Sequence, residues 1–295
     1  MMTVSRNRMT ALAVLAVALA LAAVVFAVRL GLSSQASAAC RCAPSKFEGG
    51  SFHGEYYEDY VLSSVLDGVA SGTYIDVGAN HPIENNVTAL FYERGWHGIT
   101  IEPNPEYIPL YAKLRPRDVH LNLGIASAGG TLTFYRITDP PGGDGTYASG
   151  GLSTFDPAIA ERRRREGLTV SPRMVPVTTL NKVLEQRPLE EITILSIDVE
   201  GFEKPVLEGI DLRKHRPLVI VVEACLPGTE VPSYELWEGL LLQAGYAPAM
   251  SDGLNRYYVP RDRVDLLARF IHVDMCVKRS KLARGVRLDG WMPWR

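Results

Sequence analysis

The chain has 295 residues, with 31 Lys+Arg against 33 Asp+Glu and a formal net charge of −2. A balance this close to neutral excludes a dedicated, strongly basic nucleic-acid binder, and an apolar content of 46% with 8% aromatics excludes a wholly disordered chain. Four cysteines are too few for a disulfide-dense scaffold.

From the N-terminus, residues 11–28 form an unbroken run of Ala, Val, Leu and Phe, preceded by Arg6 and Arg8 and followed by Arg29. The run is about at the lower length limit for crossing a bilayer. It exceeds the roughly 7–15 apolar residues of a signal-peptide core. We read 1–30 as a single-pass membrane anchor; cleavage near Ala36-Ser37-Ala38, with secretion, is the alternative. Arg29, Arg41 and Lys46 on the far side leave the orientation open. Residues 31–50 are small and polar and read as a linker, with Cys40 and Cys42 as spare thiols.

Residues 51–295 read as one α/β domain with a core over about 70–260. A strand at 73–77 precedes a helix at 86–94, and a strand at 98–101 precedes a helix at 105–114. A third strand follows at 119–121. Residues 131–135 alternate and read as an antiparallel strand, and 139–151 are rich in Gly, Pro and Asp and read as a loop. A helix over 156–166 has Asp156 as its N-cap and Pro157 at its first position. Another opens at Thr178/Thr179 and runs to 186. The apolar, β-branched runs 192–197 and 218–222 read as buried parallel strands. A helix at 233–244 and a closing antiparallel pair, 246–250 and 256–259, complete a mostly parallel, doubly wound sheet. Cys225, Cys276 and Trp237 read as core residues.

In such sheets ligands bind beyond the carboxyl ends of the strands. Asp76, Glu102, Asn122, Asp198 and Glu223 all stand there, which predicts a polar rim around one crevice. The first turn, Asp76-Val77-Gly78-Ala79-Asn80, lets backbone approach a ligand at Gly78. It is not the GxGxxG pyrophosphate fingerprint, which disfavours a nicotinamide-dependent dehydrogenase. Glu102, at the next strand end, is placed to accept hydrogen bonds from two ribose hydroxyls. An acid in the first turn and a ribose acid at the second strand suit S-adenosylmethionine, with its cationic amino-acid sulfonium near Asp76.

The stretches Tyr74-Ile75-Asp76-Val77-Gly78-Ala79-Asn80, Gly95-Trp96-His97-Gly98-Ile99-Thr100-Ile101-Glu102-Pro103-Asn104-Pro105, Val175-Pro176-Val177-Thr178-Thr179-Leu180 and Ile197-Asp198-Val199-Glu200-Gly201-Phe202-Glu203 resemble, in order, the motifs of the FkbM-type methyltransferases. Gly54-Glu55-Tyr56-Tyr57-Glu58-Asp59 resembles the acidic signature ahead of their first strand. The resemblance runs over about 51–259. It implies a Rossmann-like class I fold and S-adenosylmethionine-dependent O-methylation of a glycan or a glycosylated or complex metabolite. It also implies cofactor contacts at Asp76, Gly78, Asn80 and Glu102, and a second acidic motif, Asp198 and Glu200, near the transfer site. The N-terminal apolar run departs from many members.

Methyl transfer to a hydroxyl requires alignment of donor and acceptor and removal of a proton. Asp198, ending a buried strand beside the crevice, is the first candidate base; Glu200 and Glu223 rank next. These three could also ligate Mg²⁺ through oxygen, although a metal is not expected, since no dedicated His/Asp site is evident. His81, just past the first turn, is a further candidate base or adenosine contact. Asn122 is a candidate cofactor contact, and Glu58 and Asp59 could close over the cofactor's amino group. The loop 150–155 is a candidate acceptor-binding lid. Arg162–Arg165 reads as a solvated charge run. The expected partners are a small-molecule or glycan acceptor and, through the anchor, a membrane, with no nucleic acid. A non-catalytic Rossmann-like binding module at a membrane is the competing reading.

Overall fold

The computed structural model describes residues 52–143 and 150–283, with side chains through residue 274. The expected anchor, linker, Cys40 and Cys42 lie outside the described residues, as does the side chain of Cys276. Among the described residues no helix is long and apolar enough to cross a membrane.

In chain order the elements are α1 (Glu58–Val65), β1 (Thr73–Val77), α2 (Ala89–Glu93), β2 (His97–Ile101), a 3-10 turn (Pro105–Tyr107) running into α3 (Ile108–Leu114), β3 (Val119–Leu121) and β4 (Gly124–Ile125). Then come β5 (Gly130–Thr138), α4 (Pro157–Arg165), β6 (Thr169–Thr178), α5 (Leu180–Gln186), β7 (Ile194–Ile197), α6 (Glu203–Glu208), α7 (Leu212–His215) and β8 (Val219–Glu223). A 3-10 turn (Tyr234–Leu236), α8 (Glu238–Gln243), β9 (Tyr246–Ser251), β10 (Asn255–Pro260) and α9 (Val264–Ala283) complete the domain.

The main sheet has seven strands in the order β3-β2-β1-β7-β8-β10-β9. The first five are mutually parallel, and β10 runs antiparallel to both β8 and β9. The chain winds outward from β1 through β2 to β3, then returns to β7 on the other side of β1. That reversal makes the β1/β7 junction the topological switch point, where the crevice of an open α/β sheet lies. The pleat sorts side chains between two layers. Ile75 and Val77 pack with Leu180, Leu207, Trp237 and Leu241 on one face, while Tyr74 packs with Leu62, Phe91 and Phe270 on the other. Helices therefore cover both faces, as the α/β alternation predicts.

Differences from the sequence reading have local causes. The helix expected from 86 starts at Ala89, because Asn86 makes an Asx turn in which Thr88 N–H donates to its Oδ1 at 3.0 Å. The helix expected over 233–244 breaks at Trp237, whose backbone (φ −136) is non-helical. The ten-residue β6 was not anticipated, since Pro172 and Pro176 argue against a strand. It forms because β4 pairs only with Val177 and Thr178, so most of one edge of β6 has no strand to bond. Its other edge pairs with all of β5, from Gly130↔Val177 to Thr138↔Thr169. This ribbon carries a separate small core, Phe134, Phe155, Val175 and Val177, which sits over the carboxyl ends of β1 and β2.

Arg162–Arg165 is not uniformly solvated. Asp156 caps α4 as expected, accepting from Ala158 N–H at 2.7 Å and Ile159 N–H at 3.2 Å. The helix then turns Arg163 inward, where it is buried and paired with Glu166 at 2.9 Å, while Arg162 donates to the carbonyl of Pro227. Four consecutive positions sweep right round a helix, so at least one must face the protein.

Candidate active site

A crevice opens at the switch point. Its floor is Gly78, Asn80, Glu102 and Asp198, and its apolar wall is Leu123, Ile125, Phe134 and Phe155. Gly150, Gly151 and Ser153 close one side, so the loop 150–155 does line the crevice. It is tied down, because Thr154 bridges Tyr135 and Ser153 Oγ accepts from Ile137 N–H at 3.0 Å.

Gly78 is at φ +83, and its N–H donates to the Ile101 carbonyl at 2.9 Å. A Cβ here would lie 2.8 Å from the carbonyl carbon of Asp198 and closer still to its oxygen. Only glycine lets the β1 and β7 ends approach this closely. Asn80 follows at φ +45 and directs its N–H to Glu102 Oε2 at 3.1 Å. Asn104 N–H donates to Glu102 Oε1 at 2.7 Å. Two loops thus fix one carboxylate at the crevice floor, 7% exposed. Burial pushes its pKa up to about 7 against the two amides that favour the charged form. Each oxygen has used one lone pair on the backbone and keeps one for a ligand hydroxyl. This residual capacity fits the adjacent hydroxyls of a ribose.

Asp76 does not face the crevice. Its Oδ2 accepts from Thr88 Oγ1 at 2.7 Å and Asn86 Nδ2 at 3.4 Å, in a buried network completed by Arg115. Asp76 is the penultimate residue of β1 and shares the pleat face of Tyr74, opposite Ile75 and Val77. Its geometry is that of a support beneath the 79–88 loop, and it is not among the residues that line the crevice. Asn122 likewise turns inward, with Nδ2 donating to the Glu102 carbonyl at 2.8 Å. His81 Nδ1 accepts from Ile83 and Glu84 N–H at 3.3 and 2.9 Å, and its ring rests edge-on against Tyr107. It closes its own turn and is not part of the crevice lining.

Asp59, in the first turn of α1, accepts from His53 N–H at 2.6 Å and Tyr60 N–H at 2.9 Å and is fully buried. Glu58 is buried beside Asp252, accepting from Asn255 Nδ2 at 2.8 Å and Tyr56 N–H at 3.0 Å. Burial, then the charge of Asp252, pushes its pKa up to about 8. Neither residue lines the crevice.

Asp198 opens into the crevice at the end of β7, its N–H donating to the Val77 carbonyl at 3.0 Å. Loss of hydration, with Glu55 and Asp76 adding negative charge, lifts its pKa to about 6. Glu200 also lines the crevice, in left-handed backbone at φ +53. Glu223, at the end of β8, lies behind them, and one carboxylate oxygen from each of the three falls within 4.8 Å of the others. Burial first, and mutual repulsion second, push Glu200 and Glu223 well above the usual carboxylate range. The sequence reading missed the Phe134 wall, although the inward phase of β5 contains it. It also missed the buried acid Asp252, which reads as an ordinary turn residue in Ser251-Asp252-Gly253. Glu203, quoted only for the resemblance, is buried and accepts from Gly201 N–H at 2.8 Å.

No curated protein matches the chain in sequence. The family model for the methyltransferase FkbM domain matches residues 76–248, which run from the end of β1 into the start of β9 and contain Gly78, Glu102, Asp198 and Glu223. S-adenosylmethionine is the usual methyl donor of methyltransferases. With the crevice at the switch point and more than half of its length matched, the chain belongs to the FkbM methyltransferase family.

Proposed function

We propose that this chain is an O-methyltransferase that uses S-adenosylmethionine and acts on a hydroxyl of a glycan or of a glycosylated or complex metabolite. The observation that carries the reading is the pairing of Glu102 and Asp198 across Gly78 in one crevice. Glu102 offers acceptor capacity for a ribose, Gly78 and Asn80 give backbone access, and the Phe134/Phe155 wall offers an apolar surface for an adenine ring. The donor supplies an electrophilic methyl group. Asp198 takes the acceptor's proton; its raised pKa makes it a better proton acceptor than an ordinary carboxylate while leaving it ionised at neutral pH. The acidic crevice favours a cationic donor over its uncharged thioether product. The glycan preference comes from family analogy, and attachment to a membrane from the run 11–28.

Calorimetric titration of S-adenosylmethionine into the full-length chain tests the donor site. Saturable binding that Glu102→Ala weakens is expected; no binding by the folded chain refutes the reading. With labelled donor and a glycan panel, Asp198→Asn should keep donor affinity while turnover falls by about 10²–10⁴. Unchanged turnover removes Asp198 as the proton acceptor.

A further inference from the structure

Three acidic side chains, Asp198, Glu200 and Glu223, gather beside the crevice with one carboxylate oxygen of each within 4.8 Å of the others. The β7–β8 register, Ile197↔Val222, sets Asp198 and Glu223 side by side as the next residues of adjacent strands. Glu200 is brought back toward them by its left-handed backbone, followed by Gly201 at φ +91, and Thr154 Oγ1 pins the turn by donating to the Glu200 carbonyl at 2.8 Å. A non-glycine residue in this conformation costs about 1–2 kcal/mol, so the turn is held against local preference.

A separate observation concerns their unused oxygens. Glu223 is only 4% exposed, and its Oε2 is enclosed without a hydrogen-bond partner, as is Oε2 of Glu200. A buried carboxylate oxygen with no donor is costly to leave so. The charges acting most strongly on Glu223 are those of Asp198, Glu200 and Glu203, all negative. Arg163 offsets part of the charge on Glu200; one of its terminal nitrogens pairs with Glu166, and its other two nitrogens make no hydrogen bond.

We propose that Asp198, Glu200 and Glu223 bind a hard divalent cation of the Mg²⁺ or Mn²⁺ class. The donor set is all carboxylate oxygen, with neither the thiolate nor the imidazole that zinc favours. An oxygen shell around Mg²⁺ is about 4.2 Å across, and around Ca²⁺ about 4.8 Å. Ligand oxygens already within 4.8 Å of one another need little movement to converge on one ion. Three protein oxygens leave the remaining positions of a six-coordinate ion for water and for oxygens of the acceptor. Asp198 would use one oxygen on the ion and keep the other for the acceptor's proton. The cation site stands on its own geometry, whereas its role in holding the acceptor rests on the methyltransferase reading.

The test uses the full-length chain, stripped with EDTA. Mn²⁺ is titrated with detection by electron paramagnetic resonance, and melting is followed by calorimetry with and without Mg²⁺. One saturable Mn²⁺ per chain is expected, displaced by Mg²⁺ and weakened about tenfold or more by Glu223→Gln and by Asp198→Asn. Metal-free Glu223→Gln should melt no lower than the parent, because an amide stands in for the neutral carboxyl group that hydrogen-bonds Asp198, yet it should lose the rise in Tm with Mg²⁺. Absence of saturable Mn²⁺ binding by the folded chain, or binding unchanged in both variants, overturns the proposal. S-adenosylmethionine affinity of the stripped chain is measured in the same series. Donor binding without Mn²⁺ binding removes the cation site and leaves the methyltransferase reading; Mn²⁺ binding without donor binding does the reverse.

Discussion

Gly78→Ala is the sharpest test of the close contact that builds the crevice. Two costs are separable. The backbone is at φ +83, which an alanine adopts at about 1–2 kcal/mol. In addition, the new methyl would lie 2.8 Å from the carbonyl carbon of Asp198, where carbon atoms pack at about 3.5–4.0 Å. Neither side can yield cheaply. Gly78 N–H is bonded to Ile101, and Asp198 N–H to Val77, so relief must part β1 from β7. Overpacking of this kind costs about 1–3 kcal/mol, giving a total of about 2–5 kcal/mol. Gly68 supplies the control: it lies in an exposed turn at φ +89, with no atom within 4 Å of a Cβ built there. Gly68→Ala should therefore show the conformational cost alone. Urea unfolding gives both values, and calorimetry gives donor affinity, which should fall at least about tenfold for Gly78→Ala only. Equal destabilisation of the two variants, with donor affinity intact in both, would refute the argument that close approach at Gly78 shapes the site.

Glu102→Gln should lower donor affinity, since an NH₂ replaces one acceptor oxygen, and should cost some stability, since that NH₂ faces one of the two backbone N–H donors that now converge on the carboxylate; calorimetry and chemical denaturation read the two effects. Arg115→Met should cost about 3–5 kcal/mol, because it strands the buried Asp118 paired with Arg115 at 2.7 Å, whereas Arg263→Ala at the exposed Asp265 pair should stay within about 1 kcal/mol; chemical denaturation separates them. Glu58 binds its proton more tightly in the folded chain, about 8 against an ordinary 4.5, so its contribution to stability is complete below about 4.5 and is lost as pH rises through about 8. The melting temperature should fall between pH 5 and 8.5, and Glu58→Gln, a permanent mimic of the protonated acid, should flatten that fall. A wild-type Tm that rises across this range contradicts the assignment.

What was legible in the sequence follows from how local each signal is. The strands 73–77 and 119–121, the Asp156 cap and the helix opening at Thr178/Thr179 depend on a few neighbouring residues, and the chain places them as read. The parallel strands, in the order β3-β2-β1-β7-β8, put all five polar termini at one end of the sheet, but of the five only Glu102 and Asp198 line the crevice. Which of them face the crevice was not legible from type alone. Asp76 and Glu102 are both strand-end acids, yet the first lies inside the pleat and the second one residue beyond it. His81 illustrates the same limit: its position after the first turn suggests a ligand contact, but two backbone N–H groups a turn away compete for its Nδ1 and win. The β6 ribbon escaped notice because the exemption for its prolines comes from a missing neighbour, a tertiary fact.

The acid-rich end of the sheet is stable because the charges do not position themselves. Residues 194–197 and 219–222 are buried throughout, and each enclosed aliphatic side chain contributes about 1.5–3 kcal/mol. That apolar layer fixes the β7–β8 register, and the register in turn fixes Asp198 and Glu223 as neighbours. Carboxylates on mobile loops would relieve their repulsion by moving apart; carboxylates at the ends of adjacent buried strands cannot. The remaining routes to relief are proton uptake, as the raised pKa values of Glu200 and Glu223 express, or a bound positive charge. In the reading proposed above, a crevice that receives a sulfonium, releases a thioether and accepts a proton from a hydroxyl would use both routes. The unfavourable electrostatics at the strand ends therefore follow from the same packing that makes the sheet rigid, and they are confined to the place where a cationic ligand can offset them.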